Sequence, residues 1–281
     1  MRGEQYVSKS AGKMALSDDP MRRVEKYKDG AEDETKSSAG VSIFDPVLCE
    51  LAYRWFCPEN GTILDPFAGG SVRGIVASKL NRQYIGVELR AEQVEANRTQ
   101  AKELCSTDPL PPIWHIGDSR NIGKLTGGAT ADLMFSCPPY ADLEVYSNNP
   151  QDLSTLKYSK FIEAYRIVIA ESLKLLKPDR FSCFVVGDIR DDKGFYQNFV
   201  SDTIAAFQDG GSTLYNEAIL VTAIGSLPMR VGKQFRGGRK LGKTHQNVLI
   251  FYNGDPRNIA AIHGEVVCSV EDPADEFGEV L

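Results

Sequence analysis

The segment Thr62-Ile-Leu-Asp-Pro-Phe-Ala-Gly-Gly-Ser71 is the most informative part of the chain, because an apolar run turns through two glycines directly into a helix. A buried strand, a tight turn and a helix form the unit from which parallel sheets are built. Gly69 and Gly70 have no side chains, so a ligand can approach the backbone of this turn closely. A glycine-rich turn alone is weak evidence for a site, since it is also an ordinary strand–helix connection.

Strands and helices alternate on both sides of this turn. The apolar patterns predict strands at 62–64, 83–87, 114–116, 131–136, 181–186, 214–223 and 248–252, and helices at 47–56, 72–80, 91–104, 158–176 and 195–207. Strands separated by helices pair in parallel, and the last two strands, with no predicted helix between them, favour an antiparallel edge hairpin. We therefore predict an α/β fold, Rossmann-like and doubly wound, with a seven-stranded, mostly parallel sheet and an antiparallel edge strand.

The composition is typical of one soluble globular domain: 281 residues, 42% hydrophobic and 25% charged. We expect a polar flexible segment or flap at 1–40, one domain at 41–260 and an acidic tail at 261–281. The start of the chain lacks the apolar run of a signal peptide, and no stretch is long enough to cross a membrane. The six cysteines lack metal-ligand spacing, so we expect a cytoplasmic protein with reduced thiols and no metal.

The charge is unevenly distributed, although the net charge is −6. Residues 229–245 contain six cations and no acid, whereas residues 265–281 contain acids and no base. A basic loop at 229–245, made mobile by Gly237 and Gly238, is predicted to bind the phosphates of nucleic acid. A solvated turn is the alternative. The cations are Arg230, Lys233, Arg236, Arg239, Lys240 and Lys243.

Two further predicted strands end in acids, which matters because ligands bind beyond the carboxyl ends of strands in an open α/β sheet. Glu88, followed by Leu89, can accept the ribose hydroxyls of a nucleoside, and Asp118-Ser119 can accept the amino group of an adenine ring. Each has an ordinary alternative, a surface acid for Glu88 and a helix cap for Asp118. The turn lacks the full Gly-x-Gly-x-x-Gly spacing, and a nicotinamide enzyme is the alternative for this half of the site.

The fourth predicted strand runs into Ser136-Cys-Pro-Pro-Tyr140. Two prolines fix the backbone and remove two N–H donors, which leaves carbonyl acceptors directed at one place. The Tyr140 ring offers a flat face to a planar base. Acceptors on the hydrogens of an exocyclic amine make its lone pair reactive, and a base in a duplex must be flipped out to reach such a turn. A proline-rich end to a strand is the alternative.

Together these two segments resemble the cofactor motif and the Asp/Asn/Ser-Pro-Pro-Tyr motif of DNA amino-methyltransferases, over about residues 41–254. The arrangement looks most like bacteriophage-type members. The resemblance implies a class I methyltransferase fold, S-adenosylmethionine as cofactor and DNA as partner, with Phe44-Asp45 closing over the cofactor. It implies a cofactor site of Phe44, Asp45, Asp65, Phe67, Ala68, Gly69, Gly70, Ser71, Glu88, Leu89, Asp118 and Ser119, and a catalytic turn of Cys137, Pro138, Pro139 and Tyr140.

Cys137 departs from this motif, because a thiol is a weak hydrogen-bond acceptor. The Pro138 carbonyl can do most of the activation, Cys137 can be a partial thiolate, or the target or transferred group can differ. As a fourth option, Cys137 is only a small buried apolar residue.

Asp188 and Arg190 follow a predicted strand as either an ion pair or a DNA contact, and His245-Gln-Asn247 could reach a base or cap a turn. Selectivity would come from these loops, from residues 1–40 or from a second subunit of a homodimer. A nucleotide-dependent oxidoreductase and an inactive DNA-binding module are the competing functions.

Overall fold

The computed structural model describes residues 44–141, 146–221 and 227–264, and the side chains of 227–230 are outside this described part. The predicted flap at 1–40 and the acidic tail from residue 265 therefore lie outside the described residues. None of the described helices has the length and apolarity that a membrane span requires.

A seven-stranded sheet forms the centre of the described chain. Its order is β3-β2-β1-β4-β5-β7-β6. The first five strands in this order pair in parallel, and β7 pairs antiparallel with both β5 and β6. The predicted Rossmann-like, doubly wound, mostly parallel seven-stranded sheet is confirmed, and its antiparallel part is the edge pair β7–β6, in which β7 rather than the outermost strand runs antiparallel to β5. The strands are β1 (Thr62–Asp65), β2 (Gln83–Glu88), β3 (Ile113–Ile116), β4 (Ala131–Ser136), β5 (Leu176–Val186), β6 (Thr213–Val221) and β7 (His245–Asn253).

Helices cover both faces of the sheet and enclose two apolar cores. One core contains Phe161, Tyr165 and Phe199, and the other contains Tyr53 and Trp114. Every residue of β4 is buried, as expected for a central parallel strand. The helices are α1 (Pro46–Phe56), α2 (Val72–Lys79), α3 (Ala91–Leu104), α4 (Ile122–Leu125), α5 (Tyr158–Leu173), α6 (Phe199–Asp209), α7 (Leu227–Gly238) and α8 (Ile259–His263). Helix α8 crosses the predicted domain boundary at residue 260.

The strand order determines where the sheet opens a crevice for a ligand. From β1 the chain moves outward to β2 and β3 on one side, and from β4 it moves to β5 on the other. The order thus reverses between the neighbouring strands β1 and β4, and such a switch point opens a crevice at the carboxyl ends of the strands. Asp65 ends β1 and Ser136 ends β4, so both predicted motifs begin at this crevice.

The basic segment is a correction to the sequence prediction. We expected a mobile loop and no helix between the last two strands, but α7 lies between β6 and β7. Lys, Arg and Gln favour helices, and the spacing of Lys233 and Arg236 places them on one helix face. Gly237 and Gly238 end the helix, and Arg239 follows with φ of +53°. The predicted antiparallel pairing of β6 with β7 is nevertheless confirmed.

The predicted helix at 195–207 begins four residues later than expected, at Phe199. A hairpin replaces its first turn, with a bridge between Arg190 and Tyr196. Gly194 at its tip has φ of +92°, and Asn198 before the helix has φ of +59°. Left-handed residues at these two points are incompatible with a continuous helix. The same stretch thus projects aromatic side chains from a turn instead of from a helix face.

Candidate active site

Asp65 is fully buried and lies at the centre of the hydrogen-bond network of the site. Its Oδ2 accepts hydrogen bonds from Arg73 Nε at 2.6 Å and from the Tyr84 hydroxyl at 2.7 Å. Its Oδ1 accepts from the Ser136 hydroxyl at 2.5 Å and from the Phe67 amide at 3.0 Å. Two bonds on each oxygen use the acceptor capacity of a carboxylate. Asp65 therefore stabilises the glycine turn, and its carboxylate has no lone pair left to accept a hydrogen bond from a ligand.

The Ser136 hydroxyl joins the two motifs. Ser136 is the last residue of β4, beside β1, and Cys137 follows it. Because Ser136 donates to Asp65, the glycine turn and the Cys-Pro-Pro-Tyr turn leave the sheet from one shared, buried hydrogen bond. A change in the position of one turn must therefore disturb the other.

Arg73, in the first turn of α2, holds the glycine turn from inside. Besides its ion pair with Asp65, its guanidinium donates to the carbonyls of Phe67 and Ala68, at 2.5 and 2.8 Å. The guanidinium carbon lies 4.8 Å from the centroid of the Phe44 ring. Burial alone would lower the pKa of Arg73, but the Asp65 carboxylate outweighs it and keeps the pKa above its usual value. The buried cation is thus permanently charged and paired.

The glycine turn is held on its outer side by β2 and α3. Gly69 has φ of +50°, a conformation that favours glycine. Its N–H donates to Glu88 Oε2 at 3.0 Å, and its carbonyl accepts from Asn97 Nδ2 at 2.7 Å. A Cβ built on Gly70 would meet nothing within 4 Å. The turn is therefore fixed by its neighbours and open where a ligand would approach.

Glu88 still has capacity to bind a ligand. Apart from Gly69, its carboxylate accepts the Arg90 amide at 2.9 Å and lies 3.4 Å from the Arg90 Nε. A carboxylate has about four acceptor positions, so lone pairs remain on both oxygens. Leu89 beside it is half-buried, and Ser71 before α2 donates to Gln100.

Asp118 is engaged with a neighbouring cation. Its Oδ1 accepts the Arg120 amide at 2.9 Å, and its Oδ2 lies 2.5 Å from Arg120 Nη2. It thus has the capping role that we gave as its alternative, at the start of the short 3₁₀ helix Ser119–Asn121. The Ser119 hydroxyl donates to the Pro66 carbonyl at 2.5 Å. This hydrogen bond attaches the third strand end to the glycine turn.

Phe44 and Asp45 have different roles. The Phe44 ring packs edge-on against Phe135 with centroids 5.7 Å apart, in addition to its contact with Arg73. Asp45 caps α1, because its Oδ1 accepts the Val47 and Leu48 amides at 2.8 and 3.3 Å. Phe44 thus reaches the site, whereas Asp45 fixes the helix that follows it.

Three neighbours position the Tyr140 side chain. Its hydroxyl accepts a hydrogen bond from Gln246 Nε2 and lies 3.9 Å from Cys137 Sγ. Its ring stands edge-on to Phe199, with centroids 6.0 Å apart. Burial, and then the charge of a Cys137 thiolate, raise the pKa of Tyr140 well above its usual value. Tyr140 is therefore a neutral phenol, half-buried and fixed in place at the end of the Pro138-Pro139 turn.

The remaining predicted residues follow β5 or precede β7. Lys233, Arg236 and Arg239 are exposed, and Lys240 and Lys243 are half-buried, while the Arg230 side chain is outside the described part. Asp188 accepts the Val200 amide at 3.1 Å, and Arg190 donates to the Gly194 carbonyl at 2.7 Å. The ion pair that we considered for Asp188 and Arg190 is not among the ion pairs of the described residues.

Several residues of this network were not predicted: Arg73, Tyr84, Asn97 and the partner role of Gln246. Asn97 alone had a usable signal, since it falls on the buried stripe of α3 between Val94 and Ala101, where a polar residue needs a partner. The described residues contain no cluster of His, Cys, Asp and Glu suited to a metal ion.

Residues 47–102 match a family model, N6_N4_Mtase, described as DNA methylase. The match covers the glycine turn, Arg73, Glu88 and Asn97. No curated protein sequence is similar enough to match the chain.

Solved structures with a similar chain course include TrmN from Thermus thermophilus, at 13% identity and TM-score 0.48, covering 74% of this chain and 48% of that one. A methyltransferase from Pyrococcus furiosus has 16% identity and TM-score 0.47, covering 83% and 94%. Magnesium protoporphyrin IX methyltransferase from Synechocystis with bound SAM has 10% identity and TM-score 0.45, covering 74% and 76%. The chain spans about half of the Thermus protein. At these scores the likenesses support no conclusion about substrate.

The DNA methylase match falls on the half of the sheet that holds the glycine turn, next to the strand that ends in Cys-Pro-Pro-Tyr. The match supports an amino-methyltransferase of the N4-cytosine/N6-adenine type.

Proposed function

We propose that the protein methylates an exocyclic amine of a base in DNA, either N4 of cytosine or N6 of adenine, after the base has been flipped out of the duplex or presented unpaired. The hydrogen bond between Ser136 and Asp65 is the observation that supports this best. It places an open glycine turn and a rigid aromatic turn side by side at the switch point of the sheet. One side of the crevice suits a nucleoside cofactor, and the other suits a planar base.

The residues of the first side fit S-adenosylmethionine. The open space at Gly70 admits a ligand against the backbone, and Glu88 has lone pairs for two ribose hydroxyls. Asp118 can accept the adenine amino group once the Arg120 side chain turns away from it. The bound cofactor supplies an electrophilic methyl group on a sulfonium centre. The Phe44 ring packs on the Arg73 guanidinium, which supports the glycine turn.

The residues of the second side suit an amine on a flat ring. Tyr140 is fixed by Gln246, Cys137 and Phe199, so its ring can stack on a base without first being ordered. The Pro138 carbonyl accepts a hydrogen of the target amine, which directs the nitrogen lone pair away from the base plane. The N–C bond would form as the bond between the sulfonium and its methyl group breaks, and the amine would then lose one proton to solvent water. In this proposal Cys137 fixes the Tyr140 hydroxyl, and the carbonyl does most of the activation.

DNA is the partner that the family match and the cations favour. Lys233, Arg236 and Arg239 are exposed and precede the strand that holds Gln246. Cations that contact phosphates position a nucleic acid and make binding depend on salt. The homodimer stays a prediction from the sequence.

Methyl incorporation tests this function. The full chain with a labelled methyl donor and mixed-sequence DNA should transfer label to DNA, and S-adenosylhomocysteine should raise its melting temperature. Tyr140→Ala should abolish transfer and keep that shift. A cofactor-induced shift without transfer to any DNA would instead support the inactive DNA-binding module.

A further inference from the structure

We propose that a surface next to the catalytic turn binds single-stranded DNA by stacking unpaired bases on exposed aromatic rings. This aromatic–basic surface consists of Arg190, Phe195, Tyr196, Phe235, Arg239 and Lys240. The inference rests on the proposed function and specifies the form of its substrate. It starts from aromatic side chains that the apolar cores do not use.

A hairpin presents the first two rings. Phe195 and Tyr196 are 70% and 44% exposed. The hairpin is held by the Asp191 amide bonded to the Phe195 carbonyl at 2.8 Å, and by the Phe195 amide bonded to Asp191 Oδ1 at 2.8 Å. The Arg190 guanidinium carbon lies 3.9 Å from the centroid of the Tyr196 ring. An arginine thus covers one face of Tyr196, and the hairpin is ordered before any partner binds.

The end of α7 presents the third ring in the same way. Phe235 is 45% exposed, and the Arg239 guanidinium carbon lies 5.3 Å from its centroid. Arg239 Nη1 also donates to the Phe235 carbonyl at 3.2 Å. Two separate elements therefore repeat one arrangement, an exposed ring with an arginine held beside it.

The two elements meet at Gly194. Arg190 donates to the Gly194 carbonyl at 2.7 Å. On the other side, a Cβ built on Gly194 would lie 2.6 Å from Lys240 Nζ. The hairpin and the segment after α7 thus form one surface with a cation at their junction.

Two chain segments connect this surface to the Cys-Pro-Pro-Tyr turn. The hairpin leads into Phe199, whose ring packs on Tyr140. The segment after Lys240 leads into Gln246, which donates to the Tyr140 hydroxyl. These connections suit a strand that runs from the aromatic–basic surface to the ring on which the target base is proposed to stack.

The chemistry fits unpaired bases better than a duplex. A duplex hides the faces of its bases, whereas single strands stack their bases on aromatic side chains beside cations that follow the phosphates. Residues 233–243 contain five cations and no acid. The hairpin does contain Asp191, which is used by the Phe195 amide, and Asp192. The cations outnumber these acids, so the surface suits a polyanion.

Fluorescence anisotropy with the full chain, saturating S-adenosylhomocysteine and one ionic strength tests this inference. A labelled single-stranded DNA oligonucleotide should bind about tenfold tighter than its duplex. Phe195→Ala combined with Phe235→Ala should weaken single-strand binding at least about tenfold and change duplex binding less than about twofold. Tyr196→Phe keeps the ring, and Leu104→Ala removes an exposed apolar side chain from α3, so neither should alter binding. Melting temperatures with S-adenosylhomocysteine check that each variant is folded.

Equal or tighter binding of the duplex, equal effects of ring removal on both forms, or tighter binding of single-stranded RNA would overturn the inference. Methyl transfer separates it from the proposed function. Transfer to duplex DNA without any single-strand preference would overturn the aromatic–basic surface alone. A ring-dependent single-strand preference without transfer to either form would support the surface and contradict the proposed function.

Discussion

Cys137 is the residue whose chemistry departs most from the motif that it occupies. Its Sγ lies 3.9 Å from the Tyr140 hydroxyl, which also accepts from Gln246. A thiol is a poor acceptor for an amine hydrogen, but it is a suitable neighbour for a neutral phenol. In this account Cys137 fixes Tyr140, and the Pro138 carbonyl holds the amine.

Cys137→Ala is therefore expected to lower kcat by less than about tenfold, the size of a modest loss of positioning. The affinity for S-adenosylhomocysteine should not change, because the residues around the glycine turn are untouched. Cys137→Ser, which keeps a polar group beside Tyr140, is the matched control and should stay close to the parent. A loss of several orders of magnitude in Cys137→Ala, in single-turnover assays, would mean that the thiol itself acts on the substrate.

Arg73 is the residue on which the glycine turn depends most. Its side chain is nearly inaccessible and binds Asp65 together with two backbone carbonyls. Removing one partner of a buried ion pair leaves an uncompensated charge, which costs about 3–5 kcal/mol.

Arg73→Met should lower the free energy of unfolding by about 3 kcal/mol and weaken binding of S-adenosylhomocysteine. Arg73→Lys keeps the charge without the planar fork, so its loss should be smaller. Urea titrations measure the first effect and calorimetry the second. Arg54→Met, which removes a surface ion pair with Glu50, is the control and should cost less than about 1 kcal/mol. Equal losses in Arg73→Met and Arg54→Met would contradict the assigned role of Arg73.

At the scale of elements, the antiparallel strand β7 does more than extend the sheet. Seven residue pairs join β7 to β5, from Arg180–Asn253 to Val186–Asn247. This pairing brings Gln246 to the Tyr140 hydroxyl, on the turn after β4. An antiparallel strand runs opposite to β4 and β5, so its first residues lie at the ends of those strands. The start of β7 thereby borders the crevice at the switch point of the sheet.

Gln246→Leu and Tyr140→Phe should each lower kcat by about tenfold with little change in cofactor affinity, because each removes the same hydrogen bond. The double variant should be no slower than either single one. Asn247→Leu, at the next position of β7, changes a side chain that bonds to Glu217 and is the control. Additive losses in the Gln246–Tyr140 cycle would show that the two side chains act independently.

The elements also show where prediction from sequence succeeds. The strand–turn–helix at Thr62–Ser71 and the helix Ala91–Leu104 followed from apolar periodicity and glycine, because both are local signals. Helix α7 was missed because two glycines near its end and a run of cations are equally typical of a loop. The hairpin before Phe199 was missed because its cause is the left-handed backbone of Gly194 and Asn198, which a helix-like apolar pattern conceals.

At the scale of the whole molecule, the site could be predicted only in part. Strand ends identified Asp65, Glu88, Asp118 and the turn at Cys137, since the topology of parallel sheets brings such ends together. The division of work among them could not be predicted. The acceptors of Asp65 are occupied by side chains that are distant in sequence, such as Tyr84 and Ser136. The pairing of Asp118 with Arg120 depends on the rotamer of the Arg120 side chain.

The buried thiols make stability depend on alkaline pH. Burial raises the pKa of Cys49 and of Cys57 to about 12, against an unfolded value of 9.0. A raised pKa means that the folded thiol keeps its proton while the unfolded thiol has lost it. This stabilisation is complete below pH 9.0 and is lost as the pH rises towards about 12.

Between these values each thiol should reduce the free energy of unfolding by about 1.4 kcal/mol per pH unit. Urea unfolding across this alkaline range measures the slope. The combination of Cys49→Ala and Cys57→Ala should make the slope shallower by the sum of both contributions, although it also lowers stability at neutral pH. An unchanged slope in that variant would contradict the assignment. Buried tyrosines such as Tyr53 and Tyr84 add to the loss at higher pH in parent and variant alike.

Nucleoside mass spectrometry of DNA from cells that express the chain is the decisive test of amino-methylation of DNA. We expect N4-methylcytosine or N6-methyladenine, present with the parent chain and absent with Tyr140→Ala. DNA that lacks both modified nucleosides, from cells in which the folded and cofactor-binding protein is abundant, would contradict amino-methylation of DNA.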